Sequence, residues 1–181
     1  AQSPLEIVKQ FVASGPTLLI TPSQSSAFGW ARRLRAEGER IAVYPDDWSQ
    51  GARGGAHVVG TRSAIWASML KISAIVVLDA HDQSLKSESS PTWDAVEIAI
   101  ERAKRLAIPC VLLSPVPRVE HSHNRTLVKP ERANELNGWA PIHLVDIRNG
   151  DPKQGMYDPA IVELLRSDKK VVCVLNRKGR A

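Results

Sequence analysis

The residues best placed to do chemistry stand where apolar runs end. Asp79-Ala80-His81-Asp82 follows the run AIVVL, and Gly60-Thr61-Arg62-Ser63-Ala64 continues the run HVV. Ligands of open α/β sheets bind outside the carboxyl ends of strands, so both segments lie where a site is expected. A strand-end Asp can hold a magnesium ion directly or through water, and a Glu after it can polarise an attacking water. Here the next residue is Ala80, which accepts no proton, so Asp79 and His81 are at most a vestigial catalytic pair. The plainer reading is a turn that favours Asp and that His81 caps. In the second segment, glycine permits close approach of a backbone, Thr61 and Ser63 offer hydroxyls, and Arg62 offers a forked cation. Such groups suit the phosphates of a nucleic-acid strand, although many strand-to-helix turns read the same way.

Other chemistries find little support. The phosphate loop GxxxxGK[ST] and the dinucleotide fingerprint GxGxxG are both absent. The one glycine cluster, Gly51-Ala52-Arg53-Gly54-Gly55, precedes a strand and reads as a flexible turn. His121 and His123 lack a carboxylate or thiolate cluster to complete a metal site and read as exposed loop residues. Cys110 and Cys173 sit in apolar runs without a CxxC partner, so they read as small buried hydrophobes of a reducing, cytoplasmic compartment. No GxSxG elbow supports a serine hydrolase. The tryptophans, Trp30, Trp48, Trp66, Trp93 and Trp139, are scattered and read mostly as packing, with base stacking open to one at most.

The elements that must position these residues follow from the hydrophobic pattern. TLLIT (17–21), RIAVY (40–44), HVVGT (57–61), AIVVLD (74–79), PCVLLS (109–114), IHLVDI (142–147) and KVVCVL (170–175) are continuous apolar runs. Strands covered on both faces look like this, so a doubly wound, mainly parallel α/β sheet is expected, with AIVVLD central. Helices are expected from Pro4, over 25–37, over 94–106 with Thr92 or Ser90 as cap, and over 158–166. Residues 116–141 are polar and Pro-containing and read as a long irregular connection. The chain of 181 residues, 43% hydrophobic and 24% charged, carries a net charge of +5 spread along its length. That favours an anionic partner without requiring one. No apolar stretch reaches membrane-spanning length, and AQSPLEIVKQ is unlike a secretory signal.

The ordered segments resemble the primosomal protein N′ family, superfamily-2 DNA helicases of replication restart, most closely its divergent actinobacterial type. TLLITPSQ (17–24) resembles the family's Ia segment and HVVGTRSAIWA (57–67) its Ib segment. Residues 73–104 are similar to the Asp-Glu-x-His box with its following helix, PCVLLSPVPRVE (109–120) to the Ser-Ala-Thr-Pro segment, and VVCVLNRKGRA (171–181) to the first strand of the second lobe. The resemblance implies a RecA-like first lobe over 1–117, a connection over 118–141 and the beginning of a second lobe over 142–181. It also implies contacts to single-stranded or forked DNA through Ser23, Gly60, Thr61, Arg62 and Ser63, and other replication-restart proteins as partners. Active members use ATP and Mg²⁺. This chain departs from them where that chemistry resides: the phosphate loop is missing, the box reads Asp79-Ala80-His81-Asp82, and Ser114-Pro115-Val116-Pro117 lacks the threonine. The expectation is therefore a DNA-binding core segment with degenerate ATPase motifs and no cofactor of its own. Read without the resemblance, the residues also admit a small-molecule α/β enzyme using Asp79 and His81, or a non-catalytic interaction module.

Overall fold

The computed structural model describes residues 3–123, 125–137, 140, 142–144 and 159–172. Helix α1 (Pro4–Ala13) starts with a capping box: the Ser3 hydroxyl accepts from the Leu5 amide, and the Glu6 carboxylate accepts from the Ser3 amide. Proline at its first position forfeits no bond, because that amide has no partner inside the helix.

Strands β1 (Thr17–Ile20), β2 (Ile41–Val43), β3 (His57–Gly60), β4 (Ala74–Val77) and β7 (Cys110–Leu112) form one five-stranded sheet in the order β2-β3-β1-β4-β7. Every neighbouring pair is parallel. β1 occupies the middle, so the AIVVLD run, expected to be central, lies one place off it as β4. β1 through β4 are fully buried, and β7 at one edge is half-buried.

Alternation along the strands sends side chains to two cores. Leu18, Ile20, Val58, Ile75 and Val77 pack under helix α4 (Ala95–Leu106) and the 3₁₀ turn Arg62–Trp66. Leu19, Ile41, Val43, Val59 and Val76 pack under α1 and α2 (Gln24–Ala36), through Val8, Val12, Ala27, Ala31 and Leu34. Helices on both faces of a five-stranded parallel sheet make this the expected α/β, RecA-like arrangement.

Several local expectations change. α4 is capped by Asp94, whose carboxylate accepts from the Val96 amide, and not by Thr92 or Ser90. Thr92 lies between the two strands of a short antiparallel ribbon, β5 (Lys86–Ser87) and β6 (Trp93–Asp94), which delays the helix. The glycine cluster is only partly a turn. Trp48–Arg53 is helix α3 with Gly51 buried inside it, where Cβ growth would meet a Val58 methyl at 2.8 Å. Gly54 and Gly55 then supply the turn, at φ values of 84° and 74° that side chains resist.

The chain divides into two units, Ala1–Glu135 and Leu136–Ala181. Within the connection expected over 116–141 lie the short helices α5 (Val119–Ser122) and α6 (Arg132–Asn137). In the second unit α7 (Pro159–Arg166) forms where expected, with Ile161, Leu164 and Leu165 all partly exposed. The strands expected over 142–147 and 170–175 fall partly on 145–147 and 173–175, which lie outside the described residues. Their described parts, 142–144 and 170–172, are not in strands.

His57 couples the sheet to pH. Its Nδ1 accepts from the Thr17 amide at 3.1 Å, and its Nε2 lies 3.3 Å from Glu39. Burial lowers its pKa below the ordinary 6.5, against the opposing pull of Glu39. The unfolded chain then binds the proton more readily, so the stabilisation is present above the unfolded pKa and lost as pH falls through the folded one. Denaturant midpoints should fall between neutral pH and pH about 5, and His57→Asn, which keeps an acceptor for Thr17 but cannot titrate, should flatten that fall. Gly60 gives a second test. A Cβ there would sit 2.6 Å from the Ala64 Cβ and 3.1 Å from the Tyr44 carbonyl oxygen. Gly60→Ala should lower stability in urea by about 1–3 kcal/mol, as overpacking does.

Candidate nucleic-acid interface

Because the strands are parallel, every strand-to-helix turn of the sheet arrives at one edge. Thr21, just past β1, is buried and clasps its neighbour: its amide donates to the Gly60 carbonyl at 2.9 Å. Its hydroxyl lies 3.0 Å from the Ser23 carbonyl oxygen and 3.2 Å from that of Gly60. Ser23 caps α2, accepting from the Ser26 amide at 3.2 Å, and its hydroxyl lies 3.1 Å from that of Ser25. Gly60 is buried, Thr61 half-buried, and Arg62 and Ser63 exposed.

Ser84 joins the two turns. It lies in the 3₁₀ turn Gln83–Leu85, where its hydroxyl donates to the Pro22 carbonyl at 2.9 Å and its carbonyl accepts from the Arg62 guanidinium at 3.0 Å. Asp82 caps that turn through the Ser84 amide at 2.8 Å, a bond that holds the Asp82 carboxyl below its ordinary pKa. Ser23, Gly60, Thr61, Arg62 and Ser63 thus belong to one bonded edge. The Arg62 guanidinium gives one N–H to the Ser84 carbonyl, and among the described residues the rest of its five donors are open to solvent.

Asp79 and His81 lie farther along the same edge. Asp79 is exposed at a φ of 50°, and Ala80 is 1% exposed, its amide donating to the Leu113 carbonyl past β7. His81 Nδ1 lies 3.1 Å from the Ser114 hydroxyl, and no hydrogen bond joins it to Asp79 among the described residues. Ser114 also accepts from the Val116 amide at 3.1 Å.

One polar cluster at this edge has no local signature in the sequence. Arg118 donates to the carbonyls of His81 at 3.1 Å and Asp82 at 2.8 Å and to the Asp94 carboxylate at 3.0 Å. Its side chain is 11% exposed and that of Asp94 17%, so the pair is largely withdrawn from water. Beside it lies a cleft of about 570 Å³ whose walls include Lys86, Trp93, Glu97 and His121. His121 corrects an expectation. It is 7% exposed, not a surface residue, and its Nε2 lies 3.8 Å from Glu97. Burial lowers its pKa, with Arg118 adding to the shift. Cys110 is half-buried with a free thiol, pushed up to about 11 by burial. Neither Arg118 nor His121 belongs to a local motif. Their partners stand 24 to 37 residues away, so only the fold brings them together.

No family model matches the chain. Among curated proteins it is similar to the replication restart protein PriA of Haemophilus influenzae, with 31% identity over 145 residues covering 74% of this chain and 20% of that protein. The Thermotoga maritima PriA is 25% identical over 196 residues, covering 96% of this chain and 26% of that one. The Bacillus subtilis PriA is 28% identical over 191 residues, covering 94% and 23%. These matches agree with the sequence resemblance, and the chain belongs to the PriA-like family of replication restart proteins, spanning 20% to 26% of the length of these relatives.

Proposed function

We propose that this segment serves replication restart by holding DNA at the carboxyl edge of its sheet, and that its remnant of nucleotide chemistry does not hydrolyse ATP. The observation that carries the first half is the bonded edge itself. Ser23, Thr61, Arg62 and Ser63 present hydroxyls and a guanidinium on two adjoining turns, tied through Ser84 to the same side of the sheet. Gly60 supplies the tight β3 exit that lets Tyr44 and Ala64 close in behind them. Hydroxyls and one forked cation position a backbone without reading bases. Binding is therefore sequence-independent and falls with salt.

Ala80 supports the second half. It stands where the family's box has its carboxylate, and it is buried with only a methyl group to offer. Loss of a general base alone typically removes 10² to 10⁴ in rate, an order-of-magnitude figure. The neighbouring groups do not fit the missing roles. His81 Nδ1 is engaged by Ser114, and Arg118 is committed to Asp94 and two carbonyls. ATP and Mg²⁺ accordingly find no cradle among these side chains, and no step is routed through them.

Two measurements test this. In fluorescence anisotropy with a labelled single strand, the chain should bind with a dissociation constant of about 10⁻⁴ to 10⁻⁶ M. Arg62→Ala should weaken binding to all sequences alike and flatten the salt slope by about one unit, whereas Arg62→Lys keeps most of that slope. Equal affinity of Arg62→Ala and the parent at low salt would reduce the GTRSA segment to a structural turn. In titration calorimetry with ATP and Mg²⁺ the chain should give no measurable heat of binding, and a micromolar constant would overturn the second half.

A further inference from the structure

The tryptophans look scattered in sequence, but the fold sorts them. Trp30 and Trp93 are half-buried, while Trp48 is 64% exposed and Trp66 59%. Trp66 packs edge-on against Trp93, with ring centroids 5.7 Å apart and planes at 69°. Trp48 has no aromatic or cationic ring partner among the described residues. Holding a bare indole in water forgoes the burial that large apolar side chains usually obtain, so its place in the fold is informative.

Trp48 opens α3, a few residues past the carboxyl end of β2. Its amide donates to the Pro45 carbonyl at 3.1 Å, fixing it to the turn that leaves the sheet. The first residue of that turn, Tyr44, lies against Gly60: its amide donates to the Val59 carbonyl at 2.9 Å, and its own Cβ is 3.2 Å from where a Gly60 side chain would begin. The β2 exit carrying Trp48 and the β3 exit carrying Arg62 are therefore side by side. Trp48 also borders, together with Ala67 and Ser68 just beyond the 3₁₀ turn that Arg62 begins, a packing gap too small to admit water. That turn spans five residues, which at about 2 Å rise per residue sets its ends roughly 8 Å apart. At about 3.4 Å per nucleotide along one strand, this is a track of roughly two nucleotides.

We infer that Trp48 is a base-stacking platform for single-stranded nucleic acid, flanking the phosphate-gripping turn at Arg62. The inference rests on the DNA reading above and adds what that reading lacks, a group that takes hold of bases. Stacking on an indole tolerates every base, so it keeps binding indifferent to sequence. The charges around Trp48 suit a strand. α3 (WSQGAR) contains no carboxylate and ends on the exposed Arg53, and the Asp47 ahead of it is engaged by Arg35 at 3.3 Å and the Val43 amide at 3.0 Å. The exposed Asp46 opposes phosphates close to the ring, so the strand presents its bases there and its backbone to Arg62.

The experiment compares the full chain, Trp48→Ala, Trp48→Phe and Arg62→Ala by anisotropy at low salt, on labelled oligothymidylate and on an abasic strand of the same length. Circular dichroism checks the fold of each variant, which an exposed side chain should leave intact. The parent should prefer oligothymidylate and show quenched tryptophan fluorescence on binding it. Trp48→Ala should lose about tenfold on oligothymidylate, within the range known for one stacked base, and nothing on the abasic strand, while Trp48→Phe keeps most of the preference. If Trp48→Ala prefers oligothymidylate as strongly as the parent, the platform is wrong even where Arg62→Ala weakens binding. Equal weakening on both strands also overturns stacking. A parent that binds neither strand overturns the DNA reading and the platform together.

Discussion

Everything in the first unit depends on β1 being hydrogen-bonded on both sides. All four of its residues pair in parallel with β4, and three of them, Leu18, Leu19 and Ile20, pair with β3 on the other flank; none of the four exposes measurable surface. A strand so enclosed can be followed only by a crossover, because a parallel neighbour must start again from the opposite end. The chain therefore leaves the sheet at the same edge after every strand, and turns far apart in sequence become neighbours. Thr21 makes this concrete, since its amide reaches the Gly60 carbonyl across 39 residues, as its hydroxyl does. The site is a by-product of that constraint, and no single turn could build it alone.

The constraint also explains what was legible in the sequence. Strands covered on both faces must be apolar throughout, so TLLI, HVVG and AIVV announced themselves as unbroken runs, and the fold class followed. The turns after them, with Gly60-Thr61-Arg62-Ser63 and Asp79-Ala80-His81, could be placed at the carboxyl edge for the same reason. What stayed hidden depends on distance. Arg118 looked like one more residue of a polar connection, because its partners Asp94, His81 and Asp82 lie far back in the chain. His121 looked solvent-exposed for the same reason. α3 was concealed differently: the glycines at 51, 54 and 55 together invited a turn, and only the Gly51 contact with Val58 reveals why a helix there tolerates glycine. The start of α4 was shifted because a two-residue ribbon captured Trp93 and Asp94 first.

The polar cluster at Arg118 gives the edge its rigidity. Removing one member of a largely buried ion pair leaves the other charged and unsolvated, typically at about 3–5 kcal/mol. Arg118 avoids that penalty by pairing with Asp94, which also caps α4, and by filling two carbonyls of the turn after β4. The turn after β4, the start of α4 and the segment after β7 are consequently one body. Asp79 keeps its left-handed backbone at the end of this body, a conformation that Asp tolerates better than bulkier residues.

The two outer strands of the sheet are not alike. β2 is sealed, with Ile41, Ala42 and Val43 each no more than 2% exposed, whereas Cys110, Val111 and Leu112 of β7 stay half-open. An outer strand with accessible apolar side chains is a template for edge-to-edge pairing. Here the template is only three residues long, and Pro109, Pro115 and Pro117, which lack amide hydrogens, bracket it. Self-association of this protein at high concentration should therefore begin on the β7 flank, opposite the β2 flank that carries Trp48, and a concentrated sample can aggregate there while its indole platform stays accessible.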